Sequence, residues 1–265
     1  MEASAARDLP LPGGWSVAGV IARRELTRFM RQPMRIVAAV GTPLMLWGLM
    51  ASGFARSFTP PGTEQTSYAA YLVPGAMTLI TVFTAIFSTI SIIEDRREGW
   101  LQSVIVAPVP RWSIAVGKIL GGATIAFLQS AFLLFAVAPF VGVWPGIVAL
   151  PVVLAALALT AFAMTAIGAA FAWRCRTTQD YHAVMNLIFL PMWLLSGAMF
   201  PISGSAGWLM WLMRFNPLSY CTEMIRSAMA GVIDPIAIMV SIVFALLTTV
   251  VAIIVISRPL RAPLD

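Results

Sequence analysis

Glu94-Asp95-Arg96-Arg97-Glu98 is where this chain concentrates its ionisable side chains, five in a row in a sequence that is only 11% charged. Three carboxylates beside two guanidinium groups can form charge-assisted hydrogen bonds with each other or with a partner surface. They fit no hydrolytic centre, because no His-Glu-x-x-His step and no second pair of carboxylates accompanies them. Cys175, Cys221 and the lone His182 stand at none of the spacings a zinc ion requires, so no metal and no other bound cofactor is expected. The one Gly-Lys step, Gly117-Lys118, is followed by Ile119 and lacks the upstream glycine of a phosphate cradle. The acidic residues near the apolar runs, Glu94 to Glu98, Asp180, Glu223 and Asp234, fall at or beyond their ends. A proton- or ion-driven carrier would place charge near the membrane midplane. An energy source is therefore expected outside this chain.

The elements that must position this cluster follow from composition. The chain has 265 residues, 60% of them hydrophobic, with a mean hydropathy of +0.89. A soluble domain of this length cannot hide so much apolar surface, so an all-α membrane protein is expected. Six runs reach the length of a membrane-crossing helix, at 36–55, 69–93, 113–140, 147–173, 183–200 and 236–257. The net charge of +6 reflects basic residues at one membrane face rather than nucleic-acid binding, since no basic platform stands apart from the runs. Of the 17 Lys and Arg, only Arg56, Arg214 and Arg226 fall in the segments that would face outward, which predicts both termini in the cytosol. Lys118, about one turn into the third run, is expected to snorkel back to the interface. No cleavable signal is expected, because residues 1–35 carry scattered charges without an apolar core.

Residues 1–14 read as irregular, and 15–33 as an amphipathic helix lying in the membrane interface. Trp15, Ala18, Ala22, Leu26, Phe29 and Met30 would face the membrane, with Arg24, Thr27, Arg28 and Arg31 towards anionic head groups. The segment 94–110 reads as a short helix outside the membrane, ended by Pro108 and Pro110, which cannot continue a helix. Clamped between two spans, it has the form of a lever. The segment 201–235 is too apolar for an ordinary outer loop, and its Asn216-Pro217 break leaves neither half long enough to span. A pair of re-entrant helices fits, with Glu223 and Arg226 paired across one turn.

The run Asp95-Arg-Arg-Glu-Gly-Trp-Leu-Gln-Ser-Val-Ile-Val-Ala-Pro-Val-Pro-Arg111, continuing to Gly117-Lys118-Ile-Leu-Gly-Gly122, resembles the permease subunits of type-2 ABC transporters. The daunorubicin-resistance and nodulation-factor export permeases are the nearest groups. Leu195-Ser-Gly-Ala-Met-Phe-Pro201 and Arg214-Phe-Asn-Pro-Leu-Ser-Tyr220 resemble the same family, and the likeness covers 34–261 as one transmembrane domain together with the helix before it. The resemblance implies a half-transporter in the bacterial inner membrane. Two permease chains, more readily a homodimer than a heterodimer, would bind two copies of a separate ATPase subunit that holds ATP and Mg. It also implies that Glu94, Asp95, Arg96, Arg97, Glu98, Gly99, Trp100 and Leu101, with Arg24 and Arg28 on the first helix, couple the permease to that ATPase.

Phe83, Phe87, Phe189 and Trp193 are the candidate substrate-pathway residues, and their aromatic, uncharged character suits a hydrophobic or amphipathic compound. Two alternatives follow from the same residues. Stacking aromatics also suit a polysaccharide or oligosaccharide, and a membrane assembly subunit worked mechanically by an ATPase needs the same lever.

Overall fold

The structure, a computed structural model, describes residues 13–54 and 67–258. The expected irregular N-terminus largely, and Arg56 with the loop around it entirely, lie outside the described residues. Every regular element among the described residues is helical. Among the described residues five helices are long and apolar enough to cross a membrane: the Ile36–Gly53 part of α2 (Pro33–Gly53), α3 (Tyr68–Arg97), α5 (Arg111–Val137), α6 (Gly146–Arg174) and α11 (Pro235–Ser257). They match five of the six expected runs.

The remaining run, expected at 183–200, forms a shorter and broken helix. α7 (Thr178–Val184) starts earlier, at a capping box in which Thr177 Oγ1 accepts from the Asp180 amide and Asp180 Oδ2 accepts from the Thr177 amide. A π turn (Met185–Phe189) and α8 (Leu190–Leu194) continue it. Pro191 has no N–H to give and crowds the carbonyl four residues back; the wider turn, with the Leu190 amide bonded to Met185 O, accommodates it. The helix ends at Leu194, six residues short of the expected limit. It nevertheless runs antiparallel along α3: Tyr181 meets Thr89, Trp193 donates to Gly75 O, and Tyr68 donates to Met199 O.

α3 is the axis of the bundle, with 83% of its apolar window buried. Its threonines are buried too, and the hydroxyls of Thr78 and Thr81 return to the preceding turn of their own helix, a low-cost way to keep a hydroxyl in apolar surroundings. α9 (Gly207–Phe215) and α10 (Pro217–Met229) are two short helices meeting at Asn216. Asn216 caps α10 by accepting from the Leu218 amide and donates 2.6 Å to Met192 O, which ties the hairpin to the end of α8. Arg226 and Glu223 do form the expected pair, at 3.6 Å. Arg226 does more than that. It donates to Tyr71 O and Gly197 O and lies 4.1 Å over the Tyr71 ring, fixing α10 to α3.

α1 (Gly14–Met30) and the end of α11 share one end of the bundle with the charged segment. Trp15 packs edge-on against Trp112 at 5.0 Å, and Arg111 donates to Ser257 O.

Candidate functional site

α1 lies along α5 because two glycines let it approach. A Cβ on Gly117 would stand 2.7 Å from the Cβ of Ile21, and one on Gly121 2.7 Å from the Cβ of Glu25. Ala18, Ile21 and Glu25 are consequently the buried residues of α1. The expectation for this helix is corrected here: Ala18 faces α5 rather than the membrane, and Arg24 and Arg28 turn towards α3 rather than towards head groups.

At the end of α3 these residues close a network of seven charges. Arg24 forks onto both oxygens of Asp95, at 2.9 and 2.8 Å. Arg28 donates 2.9 Å to Asp95 Oδ1 and 2.8 Å to Glu94 Oε2, and stands 3.5 Å from Glu98. Lys118 reaches in from α5 to Asp95, to Glu25 at 2.7 Å and to Ser91 Oγ at 3.2 Å. Asp95, with a side chain 0% exposed, thus receives a bond at each of its four acceptor positions. The hydrogen bond to Asp95 holds the Arg24 guanidinium above its ordinary pKa, so the pair stays charged. Arg24 also lies 3.8 Å over the ring of Trp100.

Lys118 therefore does not snorkel. Burial with two carboxylates and a hydroxyl satisfies its three donors, and an interfacial position would forfeit all three bonds. Glu25 is a residue that sequence reasoning missed, and it completes the cluster.

The other expected coupling residues divide. Arg96 turns away to the end of α6, donating to Trp173 O at 2.7 Å and Cys175 O at 3.0 Å, where the last helical carbonyls favour a cation. Leu101 is buried in the core. Gly99 adopts φ 79, a left-handed conformation that glycine takes without penalty, and this turns the chain from α3 into α4 (Trp100–Val106). Arg97, Glu98, Gln102, Ser103 and Val106 are left exposed, as one outward surface of the turn. The short helix expected in this segment is present as α4, ended before Pro108 and joined to α3, whose end carries the network around Asp95.

Of the candidate pathway residues, Phe83, Phe87 and Trp193 line one cavity of about 410 Å³ between α2, α3 and α8. Phe189 does not line it. It is buried against Phe171, edge-on at 5.7 Å, and its place in the substrate pathway is replaced by one in the core. The cavity is apolar but for Thr42, Thr84 and Ser88.

Residues 17–230 match the family model described as ABC-2 type transporter. The chain is 26% identical over 78% of its length to a transport permease named ycf38 from Cyanophora paradoxa, of which it covers 72%. It is 29% identical over 68% of its length to nodulation protein J of Sinorhizobium fredii, covering 69% of it. It is 24% identical over 60% of its length to the multidrug ABC transporter permease YbhR of Escherichia coli K12, and spans only 43% of that protein.

Proposed function

Because the chain belongs to the ABC-2 type transporter family, we propose that it is the permease subunit of an ATP-driven exporter for a hydrophobic or amphipathic compound. Two copies of a separate ATPase subunit supply the energy at the charged end, and a second copy of this chain completes the pathway. The observation that carries this reading is the network around Asp95. It joins α1, the end of α3 and the start of α5 into one block, from which the surface of α4 projects. Force on α4 would reach α3 and α5 with little slack, because the network leaves few unpaired charges to rearrange. The compound must then bind the two resulting states with different affinity, as any conformational drive requires. The apolar cavity at Phe83, Phe87 and Trp193 favours such a compound over a polysaccharide, and the multidrug name of the Escherichia coli relative points the same way.

ATP hydrolysis is the first test. The purified chain is expected to release no phosphate from ATP, and to support hydrolysis only once the ATPase subunit is added. Hydrolysis by a preparation shown to be free of other subunits would overturn the reading.

The reading has six crossings, with α7, the π turn and α8 as the short one, α9 and α10 re-entrant, and both termini cytosolic. The antiparallel course of α7–α8 along α3 supports it, as do α1 and the end of α11 at the same end of the bundle. Accessibility of added thiols tests it. Cys221 is buried and serves as a silent background, while Cys175 is half-buried and is removed as Cys175→Ser. Burial pushes the Cys175 thiol up, so less of it is thiolate and its own labelling would be slow in any case. In intact cells a membrane-impermeant maleimide is expected to label Ser203→Cys, and Ser103→Cys only after permeabilisation. Label on both in intact cells would overturn the topology.

A further inference from the structure

Asn186, in the π turn between α7 and α8, is exposed, and its carboxamide has no hydrogen-bond partner among the described residues. Its depth follows from its neighbours. Tyr181 meets Thr89 of α3 and Trp193 meets Gly75, and Asn186 stands five residues after the first and seven before the second. α3 is long and apolar enough to cross a membrane. The stretch from Gly75 to Thr89, about 21 Å of helix, stops short of the charged end that begins at Glu94. The amide therefore stands at apolar depth and faces out of the bundle.

The π turn sets this geometry. Its wider pitch buries Met185 and Phe189 and turns the three residues between them, Asn186, Leu187 and Ile188, outward. The half-buried hydroxyls of Thr124 and Thr249 are satisfied within their own helices, donating to Leu120 O and Ala245 O one turn back. Asn186 makes no such bond. Lipid chains offer it none either, so the amide is costly unless another polar group meets it.

A carboxamide carries both donors and an acceptor, so it is complementary to itself across a two-fold axis. Around it, Leu187 (78% exposed) and Ile188 supply apolar surface that a second copy can pack against. α11 makes the contrast. Its outward stripe of Met239, Ile242, Leu246 and Val250 is purely apolar, a surface that lipid chains cover without loss.

We propose that the outward face of the π turn is a contact between two copies of this chain, in which Asn186 exchanges hydrogen bonds with Asn186 of the partner subunit near the two-fold axis. The proposal rests on the reading of a paired permease, and adds which face pairs and through which side chain.

Cross-linking and association in lipid vesicles test it, on the full chain with Cys175→Ser and the buried Cys221 kept. A disulfide needs Cα atoms within about 7 Å. Under copper–phenanthroline, Asn186→Cys is expected to give a dimer-sized band, and Leu246→Cys on the α11 stripe none. No band from Asn186→Cys, or equal bands from both variants, would overturn the face. A band from Asn186→Cys that needs a long bismaleimide spacer would overturn the direct contact. Förster transfer between donor- and acceptor-tagged copies, followed as the vesicles are diluted with lipid, reads the natural side chain. Asn186→Leu is expected to weaken association about threefold to thirtyfold, the span of interhelical polar bonds in membranes, and Asn186→Gln to weaken it less. Undiminished association of Asn186→Leu would overturn the role of the amide. Neither measurement involves the ATPase or export. Copies that pair through another face fail this inference alone, and copies that pair at Asn186 but export nothing fail the export reading alone.

Discussion

Asp95→Ala should destabilise the folded chain by about 3–5 kcal/mol, the range for removing one partner of a buried ionic network. The carboxylate is fully buried and takes bonds from Arg24, Arg28 and Lys118 at once. Without it, Lys118 stays buried with Glu25 as its remaining carboxylate, and the two arginines lose the group that brings them to α3. The control is Glu223→Gln. That carboxylate is 48% exposed and 3.6 Å from Arg226, a pairing of the kind worth about 0.2–1 kcal/mol. Thermal unfolding in detergent, followed by intrinsic fluorescence, reads both. The double variant Asp95→Ala, Lys118→Met should recover part of the loss, because it removes the stranded ammonium as well. A midpoint for Asp95→Ala no lower than that of Glu223→Gln would show that the network does not hold the three helices together.

On the surface of α4 the expected effect is on export rather than on stability. Val106 is 85% exposed, an apolar side chain on the outward surface formed with Glu98 and Gln102. Val106→Glu combined with Arg97→Glu should leave unfolding within about 0.5 kcal/mol, since both side chains are exposed and neither belongs to the network around Asp95. ATP-driven export in reconstituted vesicles should nevertheless fall by more than tenfold, which corresponds to a loss of about 1.4 kcal/mol of coupling. Normal export by a stably folded double variant would reduce α4 to a connecting turn. The choice of residues matters. Reversing Glu94, Asp95 and Glu98 together is a natural design from the sequence, but Asp95 is internal, so that variant would fail through unfolding and say nothing about α4.

The five long helices were legible because a run of apolar residues long enough to cross a membrane is a local property. The end of α4 was legible for the same reason, through Pro108 and Pro110. What joins them was not. Arg24 and Asp95 are 71 residues apart, and Glu25 and Lys118 are 93 apart, so no periodicity relates them. A helical wheel for α1 sets Ala18, Ala22 and Leu26 on the apolar side and hides Glu25 among polar residues, whereas the structure buries Ala18, Ile21 and Glu25. One signal could have corrected the wheel: Gly117 and Gly121, four apart and flanking Lys118, mark a face of α5 built for close approach to another helix. A lysine on such a face needs an acid on whatever packs there. The early end of the broken helix at Leu194 was likewise hidden, because 195–200 carry no charge while turning to meet Tyr68 and Tyr71.

The seating of α1 against Gly117 and Gly121 also has a consequence for biosynthesis. Lys118 emerges only 23 residues after Asp95 but 93 after Glu25. At the roughly 5–20 residues per second of ribosomal elongation, the first helix waits on the order of 5–20 seconds before its binding surface exists. During that interval α3 and α5 can enter the bilayer as a hairpin whose Asp95 and Lys118 neutralise each other. The helix made first is then among the last to be seated, and its arrival closes the cluster.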